Sequence, residues 1–282
     1  MEVWNEFFND AAMAINDGEY ITAVSNATKC IDSGCTEIDI YSIRGMSYFY
    51  LGKYNESVED LSIYLAEINL DYEIRMNRGL GYKNLGEEQK AMDDYNQSIK
   101  EAPNYGNCFL NRGYLYYSQK NYPAAISDFC NAENYGSASE DMYWRRAVAY
   151  YNSEDIENSM KDLNKATHLD PERASTHALM GKIEFEKQQY DKAIHSLSKA
   201  IYLNENDHES YDSRMIAYYY IKKYRESVAD GNHLLKLFPE RYKAGKNTDD
   251  LKTIIQFGVN EENIMVSYIL DGDTVYEYPF II

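Results

Sequence analysis

Arg112-Gly113-Tyr114-Leu115-Tyr116, then Tyr122-Pro123-Ala124-Ala125, then Ala132: this stretch decides the fold, because the chain writes variants of it seven times. Steps of 34 residues from Gly113 land on Gly79, Gly45 and Ala11 in one direction, and on Ala147 and Gly181 in the other. The same steps from Ala125 give Ala91, Ser57 and Ala23, then Ser159, Ala193 and Ser227. A fixed period of this length is the mark of stacked helix–turn–helix units. The registers open at Trp4, Ile38, Tyr72, Gly106, Glu140, Ala174 and His208, which puts Gly113 at position 8 and Ala125 at position 20.

Within each unit, apolar or small residues fall at positions 4, 8 and 11 and again at 17, 20, 24 and 27. Both sets follow helical spacing, so each unit holds two amphipathic helices. A short breaker separates them: Gly18-Glu19, Gly52-Lys53, Gly86-Glu87, Lys120-Asn121 and Glu154-Asp155. Pro103, Pro171 and Pro239 all stand at position 32, where a missing amide donor stops the second helix. Small residues at positions 8 and 20 let the paired helices approach closely. Tyrosine fills position 11 (Tyr48, Tyr82, Tyr116, Tyr150, Tyr218) and position 17 (Tyr20, Tyr54, Tyr122, Tyr190, Tyr224), and is expected there as core, with each hydroxyl at the edge. Met215 at position 8 and Gly231 at position 24 break the pattern, which marks the seventh unit as the least regular.

The repeats also serve as their own comparison set. Position 7 is Arg44, Arg78, Arg112, Arg146 and Arg214 in five units, and in those five position 23 is Asp60, Asp94, Asp128, Asp162 and Asp230. The two units without the arginine (Asp10, Met180) also lack the aspartate (Asn26, Ser196). The pattern predicts an Arg–Asp bridge between the two helices of a unit, since a planar guanidinium can pair with both oxygens of a carboxylate.

The period and the small–Tyr–Tyr–Ala pattern resemble the tetratricopeptide-repeat (TPR) family across residues 4–241. Trp is absent from position 4 throughout, a departure from the family's pattern. The resemblance implies an all-α fold, a right-handed α-solenoid of seven helix pairs whose concave side is lined by the first helix of each pair. It also implies an interaction scaffold that holds a protein or peptide in that groove. Positions 2, 5, 9 and 12 of the first helix would face inward. The candidate lining is Phe8; Asp39, Met46 and Phe49; Glu73, Met76 and Leu80, with Lys83; Leu110, Tyr114 and Tyr117; and Asp141, Trp144 and Tyr151. An apolar stripe on a face that would otherwise be polar points to a binding surface, and its aromatic centre is rich in the residue types that dominate interface energetics.

One TPR subclass holds a partner's terminal carboxylate with basic and Asn residues at positions 2, 5, 6 and 9. Here Asn9, Asn77 and Asn111 stand at position 6, but no lysine occurs at 2 or 5, and Arg145 and Lys182 read as isolated cations. The acidic rim of Asp39, Glu73, Asp141 and Glu209 suits instead a basic ligand with an apolar anchor.

Charge narrows the partners further. Among 282 residues, 46 acidic against 28 basic ones leave a net charge of −18. Such a surface repels the phosphates of nucleic acid and of anionic membranes. The same charge admits a second reading, an acidic inhibitor of the immunity-protein type that masks a basic partner. Catalytic signals are absent: Gly79-Leu80-Gly81 lies inside a helix with the wrong spacing for a dinucleotide loop, and Ser196-Leu197-Ser198-Lys199 has no companion motif. Five histidines without ligand spacing predict no metal, and no cofactor or enzymatic activity is expected. Cys30, Cys35, Cys108 and Cys130 carry no CxxC spacing, the first residues lack a basic-then-apolar leader, and no run reaches bilayer length. Together these features favour reduced thiols and a cytoplasmic setting.

After Pro239 the period stops, leaving residues 242–282 as a separate C-terminal segment. Asp249 to Gln256 reads as a helix capping the last unit, as solenoids require. Ile264–Leu270 and Thr274–Tyr278 around Asp271-Gly272-Asp273 read as a β-hairpin, seated on the solenoid or on another chain.

Overall fold

A computed structural model describes residues 4–237 and the segments 253–260, 263–270 and 273–281. Among the described residues are fourteen helices in two compact units, 1–155 and 156–282, whose division falls between the two helices of the fifth repeat. The first unit holds α1 (Trp4–Asn16), α2 (Tyr20–Asp32), α3 (Asp39–Tyr50), α4 (Tyr54–Glu67), α5 (Tyr72–Asn84), α6 (Glu88–Glu101), α7 (Gly106–Ser118), α8 (Tyr122–Asn134) and α9 (Glu140–Asn152). The second holds α10 (Ile156–Leu169), α11 (Ala174–Glu186), α12 (Tyr190–Leu203), α13 (His208–Tyr220) and α14 (Tyr224–Leu237). In the first unit α1, α3, α5, α7 and α9 touch in succession, and each even-numbered helix packs between its partner and the next odd one. The second unit repeats this arrangement from α10 onward.

The turn between paired helices has one conformation in every repeat. Position 15 is left-handed throughout: Gly18, Gly52 and Gly86 have φ of 76°, 73° and 78°, while Lys120, Glu154, Gln188 and Lys222 have φ of 56°, 62°, 58° and 63°. Three first helices are additionally capped, with Asp71, Ser139 and Asp207 accepting from the amides of Ile74, Met142 and Ser210.

The core is built from positions 8, 20, 24 and 27, which are buried in the described repeats. A Cβ added at Gly45, Gly79, Gly113 or Gly181 would come within 2.8 Å of Leu61, Tyr95, Phe129 or Leu197, so the small residue at position 8 is what admits the large one at 24. Repeat seven exchanges the two volumes, with Met215 at position 8 and Gly231 at position 24, both buried. Its departure from the pattern is therefore a swap of large and small across one interface rather than irregular packing.

Two expectations are corrected. The tyrosines of positions 11 and 17 are half-buried rather than fully buried, Tyr82 and Tyr116 packing against the core from its edge; among residues whose burial is described, the buried tyrosines are Tyr64, Tyr95 and Tyr211, at positions 27, 24 and 4. The position-11 rings lie over the position-7 guanidiniums one helical turn away, with Arg44–Tyr48, Arg78–Tyr82, Arg112–Tyr116 and Arg214–Tyr218 separated by 5.7 to 5.9 Å. The second correction concerns the expected capping helix. Residues 253–256 belong instead to a strand, β1 (Thr253–Asn260), which pairs antiparallel with β2 (Asn263–Leu270); β2 in turn pairs antiparallel with β3 (Asp273–Ile281). Residues 249–252 and the side chains that would seat the expected hairpin lie outside the described residues.

Candidate interaction surface

The covarying pair forms as the sequence predicts. Arg44, Arg78, Arg112 and Arg214 each donate through Nε and Nη2 to both oxygens of Asp60, Asp94, Asp128 and Asp230, at 2.6 to 2.9 Å. The fifth pair, Arg146 and Asp162, is divided between the two units, and both residues are buried. The sequence reading missed the third donor. Each Nη1 reaches back to position 25 of the preceding repeat: Thr28 Oγ1, Ser62 Oγ, Asn96 Oδ1, Cys130 Sγ and Ser198 Oγ. The arginine thus joins two helices of its own repeat in four cases and reaches the neighbouring repeat in five. In repeat six the slot is refilled: Ser196 Oγ donates to Glu184 Oε2 at 2.7 Å, both buried.

These bridges hold the first helices in register, and the candidate lining rides on them. Asp39 and Glu73 are exposed on the first turns of α3 and α5. Met76 does not line the face: it is 7% exposed and packs with Ala91, Tyr95, Cys108 and Leu115. The remaining candidates, Phe8, Met46, Phe49, Leu80, Leu110, Tyr114, Tyr117, Asp141, Trp144 and Tyr151, are half-buried. Phe8 rests on the Ala11–Ala27–Cys30–Ile40 cluster, Leu80 on the Met76 cluster, and Leu110, Tyr114 and Tyr117 on the cluster of Phe109, Phe129 and Met142. Two lining rings meet position-17 tyrosines edge to face, Phe49 on Tyr54 at 5.6 Å and Tyr117 on Tyr122 at 6.2 Å. Each such side chain spends part of its area on the core and presents the rest outward.

Arg145 is not isolated, contrary to the sequence reading. Its Nε donates to Asp141 Oδ2 at 2.7 Å, and its guanidinium lies 5.3 Å from the Tyr114 ring, 5.2 Å from Tyr117 and 5.9 Å from Trp144. Lys83 Nζ approaches the same Tyr114 ring at 5.9 Å. Burial and the Arg145 charge hold the Lys83 ammonium below its ordinary range, with Asp141 opposing them. Tyr114 is pushed the other way, chiefly by burial. The signal in the sequence was an interval of 31: residues 83, 114 and 145 each step one repeat forward and three residues back, along a diagonal that crosses α5, α7 and α9. Among the described residues, no group of three or more His, Cys, Asp or Glu is placed to hold a metal ion, and no helix is long and apolar enough to cross a membrane.

Comparison with known proteins agrees with this architecture. The family described as tetratricopeptide repeat matches residues 72–105, 140–173 and 174–207, in the registers read from the period. Among solved structures, the C-terminal part of a TPR repeat-containing protein from Cytophaga hutchinsonii superposes with a TM-score of 0.65 at 17% identity, covering 83% of this chain and 96% of that one. YrrB, described as a TPR protein with an unusual peptide-binding site, gives 0.61 at 14% identity over 65% of this chain and 94% of its own. A tetratricopeptide repeat protein from Parabacteroides merdae gives 0.57 at 18% over 83% and 93%. None of the curated proteins matches significantly. Identities this low speak for the fold alone, while the family match speaks for the repeat itself: residues 72–105, 140–173 and 174–207 are tetratricopeptide repeats.

Proposed function

We propose that this protein is a non-enzymatic interaction scaffold, and that the first-helix face of its N-terminal unit seats an extended peptide or protein segment. The observation that carries the reading is the run of half-buried apolar and aromatic side chains on α7 and α9, Leu110, Tyr114, Tyr117, Trp144 and Tyr151. Large rings with an outward face are the groups that dominate binding energy when a partner covers them. The peptide-binding site described for YrrB supports the same use of the fold. Exposed Asp39 and Glu73 would take Lys or Arg side chains flanking the apolar anchors, and the steering they give would weaken with salt. Four cysteines that are free in the structure fit a reducing, cytoplasmic setting.

The test is selection of dodecapeptides by phage display, followed by affinity measurement on the variant carrying Trp144→Ala and Tyr114→Ala, with circular dichroism as the folding control. Loss of two hot-spot rings should weaken binding at least tenfold, equivalent to about 1.4 kcal/mol or more. Unchanged affinity in the folded variant would overturn the groove.

A further inference from the structure

We infer that Lys83 and Arg145, brought together over the face of Tyr114, form an anion subsite that seats one carboxylate side chain of the bound segment. The inference rests on the groove reading above and goes beyond it, since it assigns a charge to the middle of a face whose rim selects the opposite one. Three elements build the site. Lys83 comes from the last turn of α5, Tyr114 from the middle of α7, and Arg145 from α9. Like charges repel, so two cations sharing one ring 5.9 and 5.3 Å from its centre need a compensating anion.

Asp141 is bonded directly to only one of them, although its charge also acts on Lys83. Its carboxylate accepts from Arg145 Nε, and no carboxylate oxygen lies within 4.0 Å of Lys83 Nζ among the described residues. The cluster of Lys83, Arg145 and Asp141 therefore carries a net charge of about +1 in a chain whose total is −18. A single carboxylate neutralises it. A dianionic phosphate would overshoot and would face Asp141, so the occupant is an Asp or Glu side chain. Half-burial strengthens the attraction, because a charge partly removed from water is less screened.

The arrangement also sets a spacing. Glu73 and Lys83 lie ten residues apart on α5, an axial rise of about 15 Å. An extended peptide covers that distance in about four to five residues. A ligand that uses both the rim and the subsite places Lys or Arg four to five residues from Asp or Glu, with apolar anchors between or beside them.

The same dodecapeptide phage library, selected on the full chain and on Lys83→Met and Arg145→Met variants, provides the test. Peptides selected on the unmodified chain should share an acidic residue. Its replacement by Gln should weaken binding five- to tenfold to the unmodified chain and less than twofold to Lys83→Met, a coupling that mere loss of packing does not produce. Lys83→Gln serves as the second variant should Lys83→Met alter the melting temperature. If selected peptides lose affinity on Trp144→Ala with Tyr114→Ala but show no acidic preference, or no coupling to Lys83, the subsite is overturned and the groove stands. If that double ring variant binds as well as the unmodified chain, or if the library yields no binder, the groove reading fails and this inference falls with it.

Discussion

Repeat four and repeat six solve the same packing problem with different chemistry. Both press a glycine of the first helix against a large residue of the second, Gly113 under Phe129 and Gly181 under Leu197. Beside that contact, repeat four places the Arg112–Asp128 ion pair. Repeat six has Met180 in place of the arginine and joins Ser196 to Glu184 across the same pair of helices. The difference teaches that volume complementarity at positions 8 and 24 brings the helices together, while the polar slot only has to be internally satisfied. A buried ion pair and a buried hydroxyl–carboxylate pair meet that condition equally, because the large energy lies in leaving a buried group without a partner.

The largest effects should come from breaking the slot on one side. Arg112→Ala strands Asp128, whose side chain is 4% exposed, and should cost about 3–5 kcal/mol. Asp128→Ala should cost about 3 kcal/mol, the lower end of that range, because Arg112 is 19% exposed and keeps Asn96 as an acceptor. Ser196→Ala removes a neutral donor from Glu184 and should cost about 1–3 kcal/mol. Urea denaturation orders the three, and equal midpoints for Asp128→Ala and Ser196→Ala would sink the ion-pair account. Transplanting the repeat-six solution is the sharper check. Arg112→Met, Tyr116→Glu and Asp128→Ser together should recover most of the stability that Arg112→Met alone loses. A triple variant as weak as the sum of its parts would break the equivalence of the two repeats.

Next in size is the glycine contact. An alanine at position 8 overpacks by about 1–3 kcal/mol, offset by about 1 kcal/mol from its better helix propensity. At Gly113 the new Cβ meets ring atoms of Phe129 at 2.8 and 2.9 Å, and a ring can tilt away. At Gly181 it meets Leu197 Cγ at 2.5 Å and the Leu197 backbone nitrogen at 3.1 Å, so the helix itself must move. Gly181→Ala should therefore lower the thermal midpoint more than Gly113→Ala, and the reverse order would show that the leucine yields more easily than the aromatic ring.

What the sequence made legible was what repeats within one unit. Seven small residues at position 20 and the Arg–Asp covariation predicted the helix pairs and the bridge from residue identities alone. Contacts between units were harder to read, because position 25 supplies acceptors of four kinds, Thr28, Ser62, Asn96 and Cys130, which share no residue type to mark them. The tyrosines misled for a related reason: regular placement looks the same for a core residue and for a ring covering an arginine. Outside the period the reading had only local propensity. There Asp249-Asp250 suggested a helix start, while Thr253, Ile254 and Ile255, all β-branched, favoured the strand that forms. Of the two cations in the proposed subsite, Arg145 was read as isolated and Lys83 only as part of the lining, and only the diagonal across three repeats relates them.

The smallest effect concerns a feature the two repeats share, the turn at position 15. Lys120 and Gln188 both hold a left-handed backbone, at φ of 56° and 58°, where the first three repeats place glycine. A side chain in that conformation costs about 1–2 kcal/mol, and glycine returns part of the gain as about 0.5–1 kcal/mol of extra unfolded-state entropy. Lys120→Gly and Gln188→Gly should each raise stability by about 0.5–1 kcal/mol, read as matching shifts in the urea midpoint. Gly52→Ala should lose a similar amount even though no atom lies within 4 Å of the added Cβ, since the conformation alone is at fault. Equal gains in repeats four and six would place the difference between them entirely in the polar slot. An unequal pair would mean that one of the two side chains, Lys120 or Gln188, stabilises its own turn enough to offset the strain.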